Sequence, residues 1–523
     1  MTTIAPFAAG SYIANRNTSQ LLTLKSQLSD LTNQLSSGLT AQSYGGLGSG
    51  RTAALSAQAS ISALNGYSAV IDTAQTRAKL GTASLTQVAT VAADTNTTLQ
   101  NGLQSTSTDT QAAKSTALNN LNAALDALNQ SDGSVYLFGG KNGSTPPVLD
   151  ASTILYGTSN ANGTVDGLST IVNEQVAADL GPNQNGRLAS SVTGSVVSLT
   201  EGASSRLAAP NGPFGFSVGG AVASNAASIT FAQNASTGTS SLTVASQPVS
   251  GDTVTVTLTL PDKSTTSITL TATSSTTASG SNTFAIGANT DATAANLKTA
   301  LASAIGNAAT TTLSASATAR ASTNFFAAST DAGTTPRRVY TDPTTGGPTY
   351  AYPTTTPATA VKQSVVWYQG ESGTDATARA SQSFQIGSSA TVQLGARANE
   401  TPIQNVLAGL ATVALGMPTG STASNAQAYQ AVVAQATPLL AANATGDSVQ
   451  DMVTDFSLAS ARMSNAKTAN AAQQSTLQDT VDGIEQASTE EVATKLLDLQ
   501  TRLQASYQIT ASLSKLSLVN YIS

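Results

Sequence analysis

The chain has no cysteine and no histidine in its 523 residues. The first absence excludes disulfides and thiolate metal sites, and the second removes the commonest general base and the commonest zinc ligand. Aromatic residues are only 4% and charged residues only 10% of the chain, so a large enzyme built round an aromatic core is not expected. The net charge of −6 and a pI near 4.7 leave no electrostatic footprint for nucleic acid. No run of about 18 apolar residues occurs, so no membrane span is expected. No basic residue precedes the short apolar patch after Met1, so no secretory signal peptide is expected, and a location outside the cell would need another export route.

What is present is periodicity. Leu21, Leu24, Leu28, Leu31 and Leu35 fall on alternating 3,4 spacing, and Val492, Leu496, Leu499 and Leu503 on 4,3,4 spacing. Each set forms one apolar stripe on a helix wound against a partner. Charge is sparse at both ends, and after Arg502 the one formal side-chain charge is Lys515. Tyr507, Leu513, Leu516 and Leu518 extend the apolar character of the last helix. Such ends are costly to leave solvated, which predicts that they pair with each other and with neighbouring copies, becoming ordered only there.

The first helix should span Thr18 to Leu39 and stop at Gly38. The loop from Tyr44 to Gly50 is glycine-rich but follows a helix and has no Lys-Ser/Thr after it, so a phosphate cradle is not expected. Gly140-Lys141-Asn142 fails the same test, since Asn stands where a hydroxyl is needed.

Leu64, Tyr67, Ile71, Ala74, Ala78, Gly81, Leu85, Val88, Ala92, Thr95 and Leu99 keep strict spacing over about five heptads. After a break at Ser105 to Asp109, Leu118, Leu121, Leu125 and Leu128 open a returning helix that Gly133 ends. A matching seam runs through Val449, Met452, Phe456, Ala459, Met463, Ala466, Asn470, Gln473, Leu477, Thr480 and Ile484. Asn470 and Gln473 are polar interruptions of the kind that fix register. Ser488-Thr-Glu-Glu491 has capping-box form and should start the last helix after a break at Gly483 to Gln486.

Between the seams the pattern changes. Residues 134–215 read as a small mixed or β domain, with a β-branched run at Ser195–Leu199. Thr253–Leu260 and Ser267–Thr271 alternate at period two across the turn Pro261–Ser264, which predicts a hairpin with threonine on its wet face. Leu297, Leu301 and Ile305 mark a helix over Thr290–Ile305, capped by Thr290 or Asp291. Thr334–Ala358 reads as a linker, Val365–Tyr368 and Ser383–Ile386 as strands, and Ile403–Leu415 as an apolar helix closing the domain begun near Ser134.

The expected fold class is therefore α+β multidomain, a long antiparallel coiled-coil stem from both termini carrying β-rich outer domains. Its parts are residues 1–42 and 487–523 as inner-tube helices and 43–133 and 419–486 as the stem. Residues 134–226 and 331–418 are the outer domain with its linker, and 227–330 an inserted β-plus-helix module.

The tail Thr501–Tyr521, with its Leu-Gln-Ala-Ser-Tyr and Leu-Ser-Leu elements, resembles the flagellin superfamily of bacterial flagella, and within it the hook-associated subunits of the hook-filament junction. Val135-Tyr-Leu-Phe-Gly-Gly-Lys-Asn-Gly-Ser-Thr-Pro-Pro147 is similar to that family's exit from the stem into its outer domain. Leu35-Ser-Ser-Gly-Leu39 resembles the step ending its first helix. The resemblance covers roughly the first 150 and last 100 residues and leaves out Ala227 to Thr330. It implies a secreted axial subunit, exported unfolded through the flagellar type III apparatus with a chaperone, whose partners are copies of itself and the axial proteins of hook, junction and filament. No nucleic acid, membrane, metal or cofactor is implied. The self-assembly positions are then the thirteen of the terminal stripes, and the stem positions Leu64, Ile71, Leu85, Val88, Leu99, Met452, Phe456, Met463, Leu477 and Ile484.

Filament flagellin is the alternative within the family, although the tail is not that of filament flagellins. Leu85–Asn96 also lacks the Arg and Glu that filament flagellins typically carry there, so recognition by the host flagellin receptor is not implied. Outside the family, a carbohydrate-binding surface protein could stack sugars on Trp367 with Tyr368 or on Tyr350 with Tyr352, though scarce aromatics are expected to pack a core. For an enzyme, the candidate carboxylate pairs are Asp451 with Asp455 and Glu490 with Glu491, which the stem pattern assigns to solvated or capping roles.

Overall fold

Where apolar residues repeat at 3,4 spacing the chain is helical, over spans longer than the stripes themselves. The computed structural model describes residues 6–104, 110–160, 163–203, 213–274, 282–329, 335–342, 346–352, 362–418, 423–441 and 448–522. It is a helix-rich α+β chain with several small sheets, nearly all antiparallel. Two units are distinguished: Met1–Thr73, Gln385–Thr391 and Arg462–Ser523 make one, and Ala74–Phe384 with Val392–Ala461 the other.

The first unit holds helix α1 (Pro6–Ser37), a 3₁₀ segment (Tyr44–Gly50) and the opening part of α2 (Arg51–Gln104). At its other end lie the closing part of α10 (Val449–Glu485) and the whole of α11 (Thr489–Ile522). α1 stops at Gly38, whose φ of 70° is the left-handed conformation that glycine adopts without a Cβ penalty. α11 begins where Ser488 Oγ accepts the Glu491 N–H at 3.3 Å, which is one half of the expected capping box. The other half is absent, because Glu491 instead pairs with Lys495 at 2.7 Å. Ala57 and Ile61 of α2 cluster with Val481 and Leu477 of α10, Gln474 donates to Asn65 at 3.0 Å, and Lys467 pairs with Asp72. Residue numbers fall on one helix as they rise on the other, so these stretches run antiparallel.

The second unit contains a helical layer and a β module. Its helices are α3 (Thr110–Leu128), α4 (Ala151–Tyr156) and α5 (Leu168–Leu180), then α6 (Thr290–Ala308) and α7 (Ser314–Phe326), joined through a π turn at Ala309–Leu313, and finally α8 (Thr401–Gly416) and α9 (Ala423–Leu440). α8 is apolar all round, and Ile403, Leu407, Leu410 and Val413 are wholly buried. A helix of that kind has to be covered on every side, and α3, α7 and α9 pack against it.

The strands are β1 (Gly157–Asn160), β2 (Gly163–Asp166), β3 (Leu188–Thr193), β4 (Val196–Glu201), β5 (Ser217–Ala223), β6 (Ile229–Asn234) and β7 (Thr239–Val244). They continue with β8 (Thr253–Thr259), β9 (Thr265–Thr273), β10 (Thr283–Ala285), β11 (Arg338–Thr341), β12 (Pro348–Ala351), β13 (Ser383–Gln385) and β14 (Thr391–Gln393). Two four-stranded sheets, in the orders β3-β4-β7-β6 and β10-β9-β8-β5, share one core with α6. The expected hairpin is β8–β9: Val254, Val256, Leu258, Ile268 and Leu270 point into that core, and the alternating threonines point away.

Several sequence expectations are corrected here. The β module does not begin at residue 227, since β3 and β4 hydrogen-bond into the sheet of β6 and β7, and Leu188, Val197 and Leu199 belong to its core. The helix after β10 is capped by Asn289, whose side chain accepts from Ala292 N at 2.9 Å, rather than by Thr290 or Asp291. Within the supposed linker lies the hairpin β11–β12. Val365–Tyr368 is not a strand, and Ser364 and Tyr368 make isolated bridges to Asp166 and Val148. The expected break at Ser105 to Asp109 lies outside the described residues.

Candidate functional site

The terminal helices α1 and α11 pack against each other within a single chain. Their junction is fixed by backbone bonds, Thr40 N–H to Glu485 O at 2.7 Å and Ala487 N–H to Gly38 O at 2.9 Å, with an antiparallel bridge between Leu39 and Gln486. Leu31 and Leu499 line the same shallow groove farther along, so the two helices run in opposite directions. The pairing of the two ends with each other is what their stripes predict, and it gives each stripe an apolar neighbour inside one chain.

The stripe residues behave unequally. Val492, Leu499 and Leu503 are buried, while Leu21, Leu24, Leu28, Leu31 and Leu496 are half-buried. Leu35 and Tyr507 are exposed. Leu513, Leu516 and Leu518 lie outside the residues whose side chains are described. The same helices also carry large apolar side chains exposed to solvent: Tyr12, Leu22, Leu497, Tyr507 and Ile509 are 58–69% exposed. Tyr12, Leu22, Leu497 and Ile509 are not among the positions the stripes single out. The signal was there in the doublets Leu21-Leu22 and Leu496-Leu497, because neighbouring helical residues lie about 100° apart and one stripe cannot hold both. Each such side chain contributes about 1.5–3 kcal/mol when fully buried.

The stem positions Leu64, Ile71, Leu85, Val88, Leu99, Met452, Phe456 and Met463 are all buried, and Leu477 and Ile484 are half-buried. In the second unit Gly81 lies against the Phe456 ring, at a place where a Cβ would collide with it. In the first unit Asn470 is buried, and its amide donates to Ile386 O at 3.0 Å. Beyond Asn470 the seam differs from expectation: Gln473 and Thr480 are exposed, whereas Gln474 is half-buried and Val481 is buried. A 4,3 order from Asn470 replaces the predicted 3,4 order.

The polar chemistry of the second unit is interior. Arg338, only 2% exposed, donates Nε to Glu174 at 2.8 Å and Nη2 to Asp166 at 2.9 Å. Its Nη1 reaches Ser364 Oγ at 3.1 Å. Asp179 pairs with Arg320, and Glu400 with Arg379 at 2.9 Å. Burial pushes the Asp179 and Glu400 carboxyls up, opposed by those arginines. None of these residues was expected from the sequence, which offers no periodic signal for a charge inside a hairpin core.

The aromatic candidates for sugar stacking are placed otherwise than that reading needs. Trp367 and Tyr368 are buried, Trp367 donating Nε1 to Phe326 O at 2.9 Å. Tyr350 is wedged between Phe214 and Arg337, and Tyr352 alone of the four is exposed. The candidate carboxylate pairs are spread among local roles. Asp451 accepts from Ser448 at the start of α10, and Asp455 is 3.3 Å from Arg379. Glu490 and Glu491 lie in the first turn of α11.

A groove of about 730 Å³ in the first unit is lined by Ser60, Tyr67, Ser388, Asn470, Gln473 and Thr476 among others, none of them a carboxylate, amine or guanidinium. Among the described residues no cluster of metal-binding side chains occurs, and no helix is long and apolar enough to cross a membrane. Large apolar side chains stand exposed on the terminal pair, as Val222, Val249 and Tyr156 do in the second unit. In comparisons with models of known families and with curated proteins, nothing matches this chain.

Proposed function

We propose that the chain is a structural subunit of the bacterial flagellum, polymerising through its paired terminal helices into the axial tube, as a subunit of the hook-filament junction. The observation that carries this reading is that Tyr12, Leu22, Leu497, Tyr507 and Ile509 stand in solvent on α1 and α11, helices already paired with each other. At about 1.5–3 kcal/mol each on burial, these five together are comparable to the rigid-body cost of association, roughly 4–15 kcal/mol. One pairwise contact is therefore marginal, and a lattice in which every copy touches several neighbours is the stable form. The long antiparallel coiled-coil stem belongs to this proposal, with the seams of α2 and α10 as its two strands and the β module as cargo outside the tube.

The test is to replace Leu22, Leu497, Tyr507 and Ile509 by glutamate and compare sedimentation and negative-stain images with the wild type. The monomer's far-UV spectrum should be unchanged and the polymer lost. Polymers that form normally in the variant would overturn the reading. Antibody labelling of flagellated cells that make the chain then separates the two family roles: a short band where hook meets filament supports the junction, and label along the whole filament supports filament flagellin.

A further inference from the structure

We propose that the groove of about 730 Å³ in the first unit is a binding site for an N-acetylated amino sugar carried in a short uncharged oligosaccharide. Its volume lies within the range of about 300–1,000 Å³ usual for small-molecule sites. Three pieces of the unit build it. α2 supplies Ser60, Ala63, Leu64 and Tyr67, which recur at the spacing of one helical face. α10 supplies Asn470, Gln473, Thr476 and Leu477 in the same way, and the turn at residues 387–390 between β13 and β14 adds its own side chains.

Asn470 organises the site. It is only 7% exposed, and its amide N–H donates to Ile386 O at 3.0 Å, which ties the turn to α10. The turn itself is closed by the Ile386 N–H to Ala390 O at 2.9 Å. With its nitrogen committed, Asn470 has one acceptor left, Oδ1, and none of the described residues donates to it. Buried amides normally have both ends satisfied, so an unmet acceptor in the lining of a groove calls for a donor on a ligand. Ser60 and Thr476 spend their hydroxyl protons on their own helices, at 2.9 Å and 3.1 Å. The side-chain polar groups of Tyr67, Ser388, Ser389 and Gln473 make no hydrogen bond with any described residue and remain to be used.

The lining holds no carboxylate, amine or guanidinium, so a charged ligand would find no counter-charge there. Uncharged donors and acceptors set among Ala63, Leu64, Ala390 and Leu477 suit a ligand that is itself part hydroxyl and part apolar. An acetamido group is both: its N–H answers Asn470 Oδ1, and its methyl group rests on the alanine and leucine side chains. Sugar hydroxyls then answer Ser388, Ser389 and Gln473, and the half-buried Tyr67 ring offers an apolar face with a polar tip. Asn470 thereby has a task beyond fixing the register of a seam. Such binding is a property of the single chain and does not depend on polymerisation.

The test titrates N,N′,N″-triacetylchitotriose into the full-length monomer and follows it by saturation-transfer NMR, with cellotriose as the matching sugar without acetamido groups. The acetamido methyl should receive the strongest transfer. Cellotriose should bind about tenfold more weakly, the effect of leaving one buried hydrogen-bonding group unpaired. Asn470→Leu removes the acceptor and should abolish binding. Because that change also cuts the tie to the turn, a second variant, Ser388→Ala with Gln473→Ala, alters two exposed positions only and should raise the Kd about tenfold with the far-UV spectrum unchanged. A wild type with no saturable transfer overturns the proposal, as does one that binds cellotriose equally well. Binding that survives both variants unchanged also overturns it. If no sugar binds and the Ser388→Ala, Gln473→Ala chain no longer polymerises, the groove is a contact between copies, which overturns the proposal and leaves the assembly reading in place.

Discussion

The N–H of Ala487 donates to the carbonyl of Gly38 at 2.9 Å, so the residue that ends the first helix also holds the residue that leads into the last. Gly38 has φ of 70°, and an added Cβ would meet nothing within 4 Å. The demand on this position is therefore one of backbone conformation alone. Gly38→Val should destabilise the junction by about 1–2 kcal/mol, the left-handed penalty for a residue with a Cβ. Gly38→Asn should be nearly silent, since asparagine tolerates that region. Hydrogen exchange checks this: the Thr40 and Ala487 amides should lose protection in the valine variant and keep it in the asparagine variant.

Gly81 and Phe456 make a complementary pair of another kind. A Cβ at position 81 would run into the Phe456 ring, so Gly81→Ala should cost about 1–3 kcal/mol by overpacking despite alanine's better helix propensity. Adding Phe456→Leu should return part of that loss. Urea unfolding of the two single variants and the double variant measures the coupling, and strict additivity would refute it.

How legible these features were depended on whether burial left a periodic trace. Ten of the eleven α2 seam positions expected from spacing are buried, Tyr67 being half-buried, because a long covered helix keeps its apolar side chains on one stripe. The α10 seam was misread at Gln473 and Thr480, where alanine, glutamine and threonine crowd both sides of the helix and the order after Asn470 could run either way. α9 escaped notice because it is built from alanine, valine and glutamine with its leucines only at the end. The hairpin β11–β12 was hidden by proline, threonine and glycine, which mark a linker as readily as a tight pair of strands. The exposed leucines of the terminal helices are legible in the doublets Leu21-Leu22 and Leu496-Leu497, since one stripe cannot hold both members.

Arg338 is the residue whose loss should be felt most in the second unit. It is buried, and it answers Glu174 and Asp166 while donating also to the carbonyl of Lys362 at 3.2 Å. Arg338→Met leaves two carboxylates without their cation, and breaking such a pair typically costs about 3–5 kcal/mol. Combining it with Asp166→Asn and Glu174→Gln should recover a good part, because no uncompensated charge then stays behind. Denaturation midpoints of the variant and the triple variant would show this, and equal midpoints would mean that the charges are indifferent to burial. Polymerisation of the folded Arg338→Met chain should be as in the wild type, since none of these groups lies on the terminal pair.

The cap of α4 gives a pH dependence with a definite sign. Asp150 accepts from Ser152 Oγ at 2.6 Å, Thr153 Oγ1 at 2.7 Å and Thr153 N–H at 2.9 Å. Those bonds, the Ser152 hydroxyl foremost, lower its pKa from the ordinary 3.8 to about 2. A carboxyl with a depressed folded-state pKa contributes stability in full above its unfolded value and loses it as the pH falls through the folded one. The window is thus from about pH 4 down to about pH 2. Asp150→Ala should cost about 1 kcal/mol at neutral pH, as loss of an N-cap does, and the gap to the wild type should close below pH 3. Asp150→Asn keeps an acceptor and should show a smaller gap that does not vary across the window. Urea midpoints of the three proteins at pH 7, 4 and 2.5 decide the matter: a wild-type advantage over Asp150→Ala that is the same at all three would show that the ionised carboxylate is not what holds the helix start.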